Sequence, residues 1–141
     1  MILENITAAI VELATFKTLL LMVVGASAGL IAGAIPGFTI AMAVVLTLPF
    51  TFGMEASQGI ATMIGVYVGG LSGGLMSGIL IGIPGTPSSV ATTFDGFPMA
   101  RNGDPGFALG LGGWSSFFGG IIATVLLVLV APQLARVGRE F

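Results

Sequence analysis

The amino-acid sequence predicts an all-α, polytopic integral membrane protein with about four glycine-rich membrane segments. Three observations lead there. Of 141 residues, 55% are hydrophobic and only 7% are charged, against roughly 25% charged in a soluble domain. So little polar surface cannot keep a folded chain in water. The charges also leave three uncharged runs, 18–54, 56–94 and 105–135, each longer than the roughly 20 apolar residues that cross a hydrocarbon core. Finally, many of the 23 glycines recur four residues apart, the spacing of a single helix face.

Each segment has its own signals. Residues 1–17 read as an interfacial N-terminal segment, since Ile6, Ile10, Leu13 and Phe16 fall near one helical face. A cleaved leader is the rival, with Ala26-Ser27-Ala28 resembling a small-residue cleavage site. Glu4 and Glu12 against the single Lys17 give the wrong sign for a leader, and the glycine spacing runs through the cut. The transmembrane region spans 18–135. A first helix over 18–35 ends at Pro36-Gly37, and a second apolar segment over 39–52 carries Pro49 near its end. A third helix over 59–83 stops at Pro84-Gly85-Thr86-Pro87. Proline lacks the amide proton and biases its predecessor away from helix, while glycine tolerates the reversal that follows.

Beyond that break, 86–94 can form one or two helical turns, and 95–105 reads as the one polar loop of any length. A last span covers 107–130, and 136–141 form a short polar end. The first two uncharged runs are too long for one crossing and short for two, so at least one segment is expected to be re-entrant. If all four segments cross, Lys17, Arg136 and Arg139 share one side and Arg101 lies opposite. The positive-inside bias then favours the cytoplasm for the first group.

Glycine is arranged in ladders. Gly25, Gly29 and Gly33 form one, Gly65, Gly69 and Gly73 a second, and Gly70, Gly74, Gly78 and Gly82 a third. Gly112, Ser116 and Gly120 repeat the theme in the last span. In lipid, close backbone approach through small residues supplies packing energy. The ladder from Gly70 to Gly82 therefore marks a helix-packing face. Its partner is left open between this chain, another subunit and a missing portion of a larger protein.

The two breaks share a pattern: GAIPGFT at 33–39 and IGIPGTP at 81–87. Broken backbone is tolerated in a bilayer only where protein buries it or a wet cavity lines it. Paired breaks in corresponding places point to a transporter's binding site, although each could equally be a tight turn at the membrane surface. After the second break, Thr86, Ser88, Ser89, Thr92 and Thr93 crowd hydroxyls together. With Pro87 opening a short helix, Thr86 is placed as its cap. Free amides and hydroxyls there could hold an anion. A helix N-terminus contributes up to about 2 kcal/mol, whereas a buried charged side chain costs at least about 2.5–3.5 kcal/mol. Carbonyls freed at the breaks could hold a sodium ion.

The inventory excludes several classes. With no cysteine and no histidine, disulfide scaffolds, zinc sites and thiolate or histidine catalysis are out. Four basic residues leave no footprint for nucleic acid. Two G-x-S-x-G matches, at 25–29 and 70–74, follow from glycine abundance and have no base to accept a serine proton. GIPGTPSS at 82–89 lacks the lysine of a phosphate loop. Asp95 and Asp104 fall in the expected polar loop, where turn formation explains them better than paired acid chemistry. An enzyme is not expected.

FKTLLLMVVGASAGLIAGAIPG, LPFTFGM and GIPGTPSSVATTFDGFPMARNGDPGFALG, followed by a glycine-rich span ending in APQLAR, together resemble one family. It is the large membrane subunit of the bacterial tripartite tricarboxylate transporters (TctA-like), and the resemblance covers 16–141. Residues 83–110 are its most specific part. The resemblance implies a multi-pass secondary carboxylate importer of the inner membrane, driven by a sodium ion or proton gradient and needing no cofactor. A periplasmic solute-binding protein would deliver the substrate and a smaller membrane subunit would assist. Pro36-Gly37 and Pro84-Gly85-Thr86-Pro87 fall on the family's signature motifs, and Asp95-Gly96 on its aspartate-glycine step.

The substrate-binding candidates are therefore Pro36, Gly37, Thr39, Pro84, Gly85, Thr86, Ser88 and Ser89. Asp95 is a candidate for ion binding or for structuring its loop. The chain departs from many relatives at Phe38, at Leu75 and Met76, which stand where hydroxyl residues are common, and at Gly82, which replaces an asparagine. Family members are also several times longer. A fragment, a broken reading frame or one piece of a split transporter with a separate partner are the expectations that follow. The alternative function is a structural or assembly protein, or an inactive fragment.

Overall fold

The computed structural model describes residues 2–138, with side chains described for 6–135. All regular structure among these residues is helical. The elements are α1 (Ile2–Leu13), α2 (Phe16–Ala34), α3 (Ile40–Thr51), α4 (Ala56–Ile81), a 3-10 turn (Pro87–Ser89), α5 (Val90–Arg101) and α6 (Pro105–Gly138). The topology expectation built on Arg136 and Arg139 rests on side chains outside the described residues.

Helices α2 and α4 form the centre. A Cβ at Gly29 or Gly33 would collide with the carbonyl of Val66 or Gly70, and one at Gly69 or Gly73 with that of Ala26 or Leu30. Gly25 faces Thr62 and Gly65 faces Met22 in the same way. Numbers rise together on both sides, so the two helices run parallel, with glycine from each pressed on the backbone of the other. This assigns the ladders 25–33 and 65–73 to each other. Backbones this close gain dispersion energy and leave room for no side chain. Val66 and Ile79, almost wholly buried, complete the core of α4.

Helix α3 returns the chain between these parallel partners. Its start lies against α4 through Ile40 and Gly70, and its end through Thr51 and Gly59. Among the described residues, three helices, α2, α4 and α6, are long and apolar enough to cross a membrane. Here the expectation of about four segments is refined. The 12 residues of α3 extend only about 18 Å, short of a hydrocarbon core of roughly 30 Å.

The third ladder is also filled from within this chain. Beyond α4, Gly82 takes a left-handed φ of 71° and the chain doubles back alongside the helix it has left. Thr86 then packs on Gly74, Ser89 and Thr92 on Gly78, and Phe97 on Gly82. The rising numbers show α5 climbing parallel to α4. Helix α6 descends beside both α4 and α5, with Gly112 against Leu75 and Ile79. From residue 113 to 135 every residue of α6 is exposed.

Two boundaries differ from expectation. The polar loop expected over 95–105 shrinks to a turn after Arg101, with Gly103 at φ 106°. Asp95 is therefore helical, which removes its loop-structuring role. The physical reason is packing: Gly96 lets α5 lie on Ile79, where a Cβ would come within 2.7 Å of the side chain. That contact overrides the weak helix propensity of Gly96 and Pro98. The last helix likewise continues past 130, through Pro132.

Candidate functional site

The two breaks meet at one level. Gly85, just after the second proline, packs against the carbonyl of Gly33, just before the first, and its amide donates to the Gly74 carbonyl at 3.5 Å. Since Thr86 sits beside Gly74, the second break has dropped about two turns, or about 10 Å, below the end of α4. Gly85, Thr86 and Ser89 are buried, and Pro84 is half-buried. Broken backbone here is covered by protein, one of the two conditions under which lipid tolerates it.

The first break is different. Pro36, Gly37 and Thr39 are exposed, and Gly37 turns the chain with a φ of 89° into open space. The Thr39 hydroxyl accepts from the Met42 amide at 3.2 Å and so caps α3. None of these three residues lines the groove described next. The expectation that both breaks cradle one solute is thus met only in the backbone contact between them.

At the second break the hydroxyls largely bind one another. Thr86 caps the 3-10 turn, as expected. Its amide donates to the Ser89 hydroxyl at 3.3 Å, and the Ser89 hydroxyl donates to the Thr86 carbonyl at 2.8 Å. The Thr86 hydroxyl also lies 3.1 Å from that of Ser88 and 3.2 Å from that of Ser89. With both Thr86 and Ser89 buried, this closed network braces the turn. Ser88, by contrast, is exposed and has hydrogen-bonding capacity to offer.

Ser88 opens on a groove between α4, α5 and α6. A hollow of about 190 Å³ is lined by Leu71, Leu75, Ser88, Ser89, Thr92 and Ser116. It adjoins a larger one of about 570 Å³ that shares Leu75, Thr92 and Ser116 and adds Ser115 and Asp95. Ligand sites commonly measure about 300–1,000 Å³ and combine apolar walls with a few polar groups. Thr92 donates to the Ser89 carbonyl at 2.6 Å, leaving its oxygen free to accept. Ser115 and Asp95 were not brought together by sequence reasoning, and Ser116 was read only as a packing residue. Two adjacent serines in an otherwise apolar span were the available signal.

The family model described as the tripartite tricarboxylate transporter TctA family matches residues 19–141. The chain belongs to the TctA family. That family is a transporter component rather than an enzyme family, and its members belong to tripartite systems with membrane partners. This TctA chain is also 34% identical over 118 residues to a relative from Agrobacterium vitis, named as an uncharacterized 52.8 kDa protein in the TAR-I ttuC' 3'region. The match takes in 84% of the chain but 24% of the relative, so the chain spans about a quarter of that protein's length. No solved structure matches.

Proposed function

We propose that this TctA chain forms part of the permease subunit of a tripartite tricarboxylate transporter. In this reading it sits as a multi-pass protein in the bacterial inner membrane and takes up carboxylates handed over by a periplasmic binding protein. A smaller membrane subunit assists, and a sodium ion or proton gradient drives the cycle. The observation that carries the reading is the hydroxyl-lined groove opening beside the buried second break. Exposed Ser88, with Thr92 and Ser116, would bind solute oxygens there. Pro84, Gly85, Thr86 and Ser89 would hold the wall, and Pro36, Gly37 and Thr39 would serve the turn behind it.

Ser88→Ala in the full transporter tests this. Ser88 is exposed, so insertion and folding should be unchanged. A hydrogen bond to a charged solute contributes about 1.5–3 kcal/mol, so uptake should fall about tenfold or more. Unchanged uptake removes the site.

A second reading, assembly without transport, draws on α6. Gly110 and Gly113 face open space beside Trp114 and Phe117, as a face awaiting another helix would. Gly74, on the ladder whose partner the sequence left open, packs within this chain against Thr86.

A further inference from the structure

Three residues line both hollows of the groove, each from a different helix: Leu75 from α4, Thr92 from α5 and Ser116 from α6. They form the waist where the two spaces meet. The Thr92 hydroxyl is tied to the Ser89 carbonyl and serine is small, so Leu75 is the bulk that sets the width. Its position is fixed from behind. A Cβ at Gly112 would come within 2.9 Å of one Leu75 methyl and 3.1 Å of the other, and within 3.4 Å of the Ile79 Cδ1. The end of Leu75 therefore rests on bare backbone of α6, with Ile79, almost wholly buried, one turn further along α4. A side chain packed this closely keeps to one rotamer.

The two hollows differ in size and in lining. The smaller, of about 190 Å³, is lined by four hydroxyl residues and two leucines. A water molecule's share of the liquid is about 30 Å³, so this space takes the volume of about six waters. A short straight dicarboxylate fills it, whereas a longer or branched one must extend through the waist and meets Leu75. The geometry points to Leu75 as a specificity-determining residue that confines the solute to the smaller hollow and so selects short carboxylates. Gly112 acts through it as a positioning residue, since a methyl added there displaces the end of the leucine. The inference deepens the functional reading above, on which it rests, by naming the size class of the solute and the side chain that enforces it.

Calorimetric binding of the straight dicarboxylates from malonate to pimelate, and of branched citrate, to the full transporter in detergent tests it. All ligands are measured on one preparation, so a loss of folded protein cancels from the affinity profile. The native protein should favour the short members, since a methylene too many costs about tenfold in affinity. Leu75→Ala should raise the longer members and citrate about tenfold relative to succinate, and Leu75→Met, of similar volume, should keep the native profile. Gly112→Ala should alter the profile of the native protein and leave that of Leu75→Ala unchanged, a non-additivity that a purely structural role for either residue does not produce. If Leu75→Ala keeps the native profile, or the native protein binds all lengths alike, the proposal is overturned. If Ser88→Ala weakens every member while Leu75→Ala changes nothing, the hydroxyl site stands and the size limit fails. If Ser88→Ala leaves binding intact while Leu75→Ala still shifts the profile, the Ser88 contact fails and the size limit stands. Binding of no member by the native protein overturns both.

Discussion

Two stretches that share the step Ile-Pro-Gly, GAIPGFT and IGIPGTP, turn the chain in different ways. In the first, the left-handed residue is Gly37, just after the proline; in the second it is Gly82, two residues before it. Turning after the proline sends the chain out into an exposed turn and a newly capped helix. Turning before it sends Pro84 and Gly85 back down the helix just completed, into a slot between Gly33 and Gly74. The local motif specifies an interruption, and its surroundings decide where the interruption goes. Only the second lines a groove.

Substitutions should separate the two breaks by the size of their effects. Gly85→Ala should be the most damaging, because the new methyl meets the Gly33 carbonyl on one side and the Gly74 Cα on the other. Overpacking costs about 1–3 kcal/mol, and backbone on both sides puts this site at the upper end. Thermal unfolding in detergent should drop sharply. Gly82→Ala should cost about 2 kcal/mol, combining a left-handed φ with a Phe97 ring 3.0 Å from the added Cβ. At the first break, Gly37→Ala carries only the conformational strain, about 1 kcal/mol, since nothing lies within 4 Å. If Gly37→Ala destabilises as much as Gly85→Ala, the two breaks are not the different objects described here. These unfolding measurements concern the scaffold, whereas Ser88→Ala should leave it untouched and change only uptake.

Much of this fold was legible in the residues. Apolar run lengths located the long helices, Pro-Gly located the interruptions, and Thr86 announced its capping role. The four-residue spacing of glycine showed that faces would pack closely. It did not say which face meets which, because a glycine ladder is the same on every helix that bears one. That is why the parallel pairing of α2 with α4, and the return of residues 85–97 onto the third ladder, needed coordinates. The helix through Gly96 and Pro98 was hidden for a related reason. Local propensity argued for a loop, and contact with Ile79 outweighed it. The groove was only half legible, since Ser88 and Thr92 stood out beside a break whereas Ser115 and Ser116 lay within an apolar span.

The interlocked glycines of α2 and α4 carry a consequence for movement. Each glycine is notched onto a carbonyl of its neighbour, and the notches repeat every four residues. The pair can therefore shift in register only by a whole tooth, about 6 Å, and smaller slippage drives backbone into backbone. Any rearrangement must leave this rack unmoved and bend the chain at its joints, of which the left-handed turn at Gly82 is the one that leads into the groove wall.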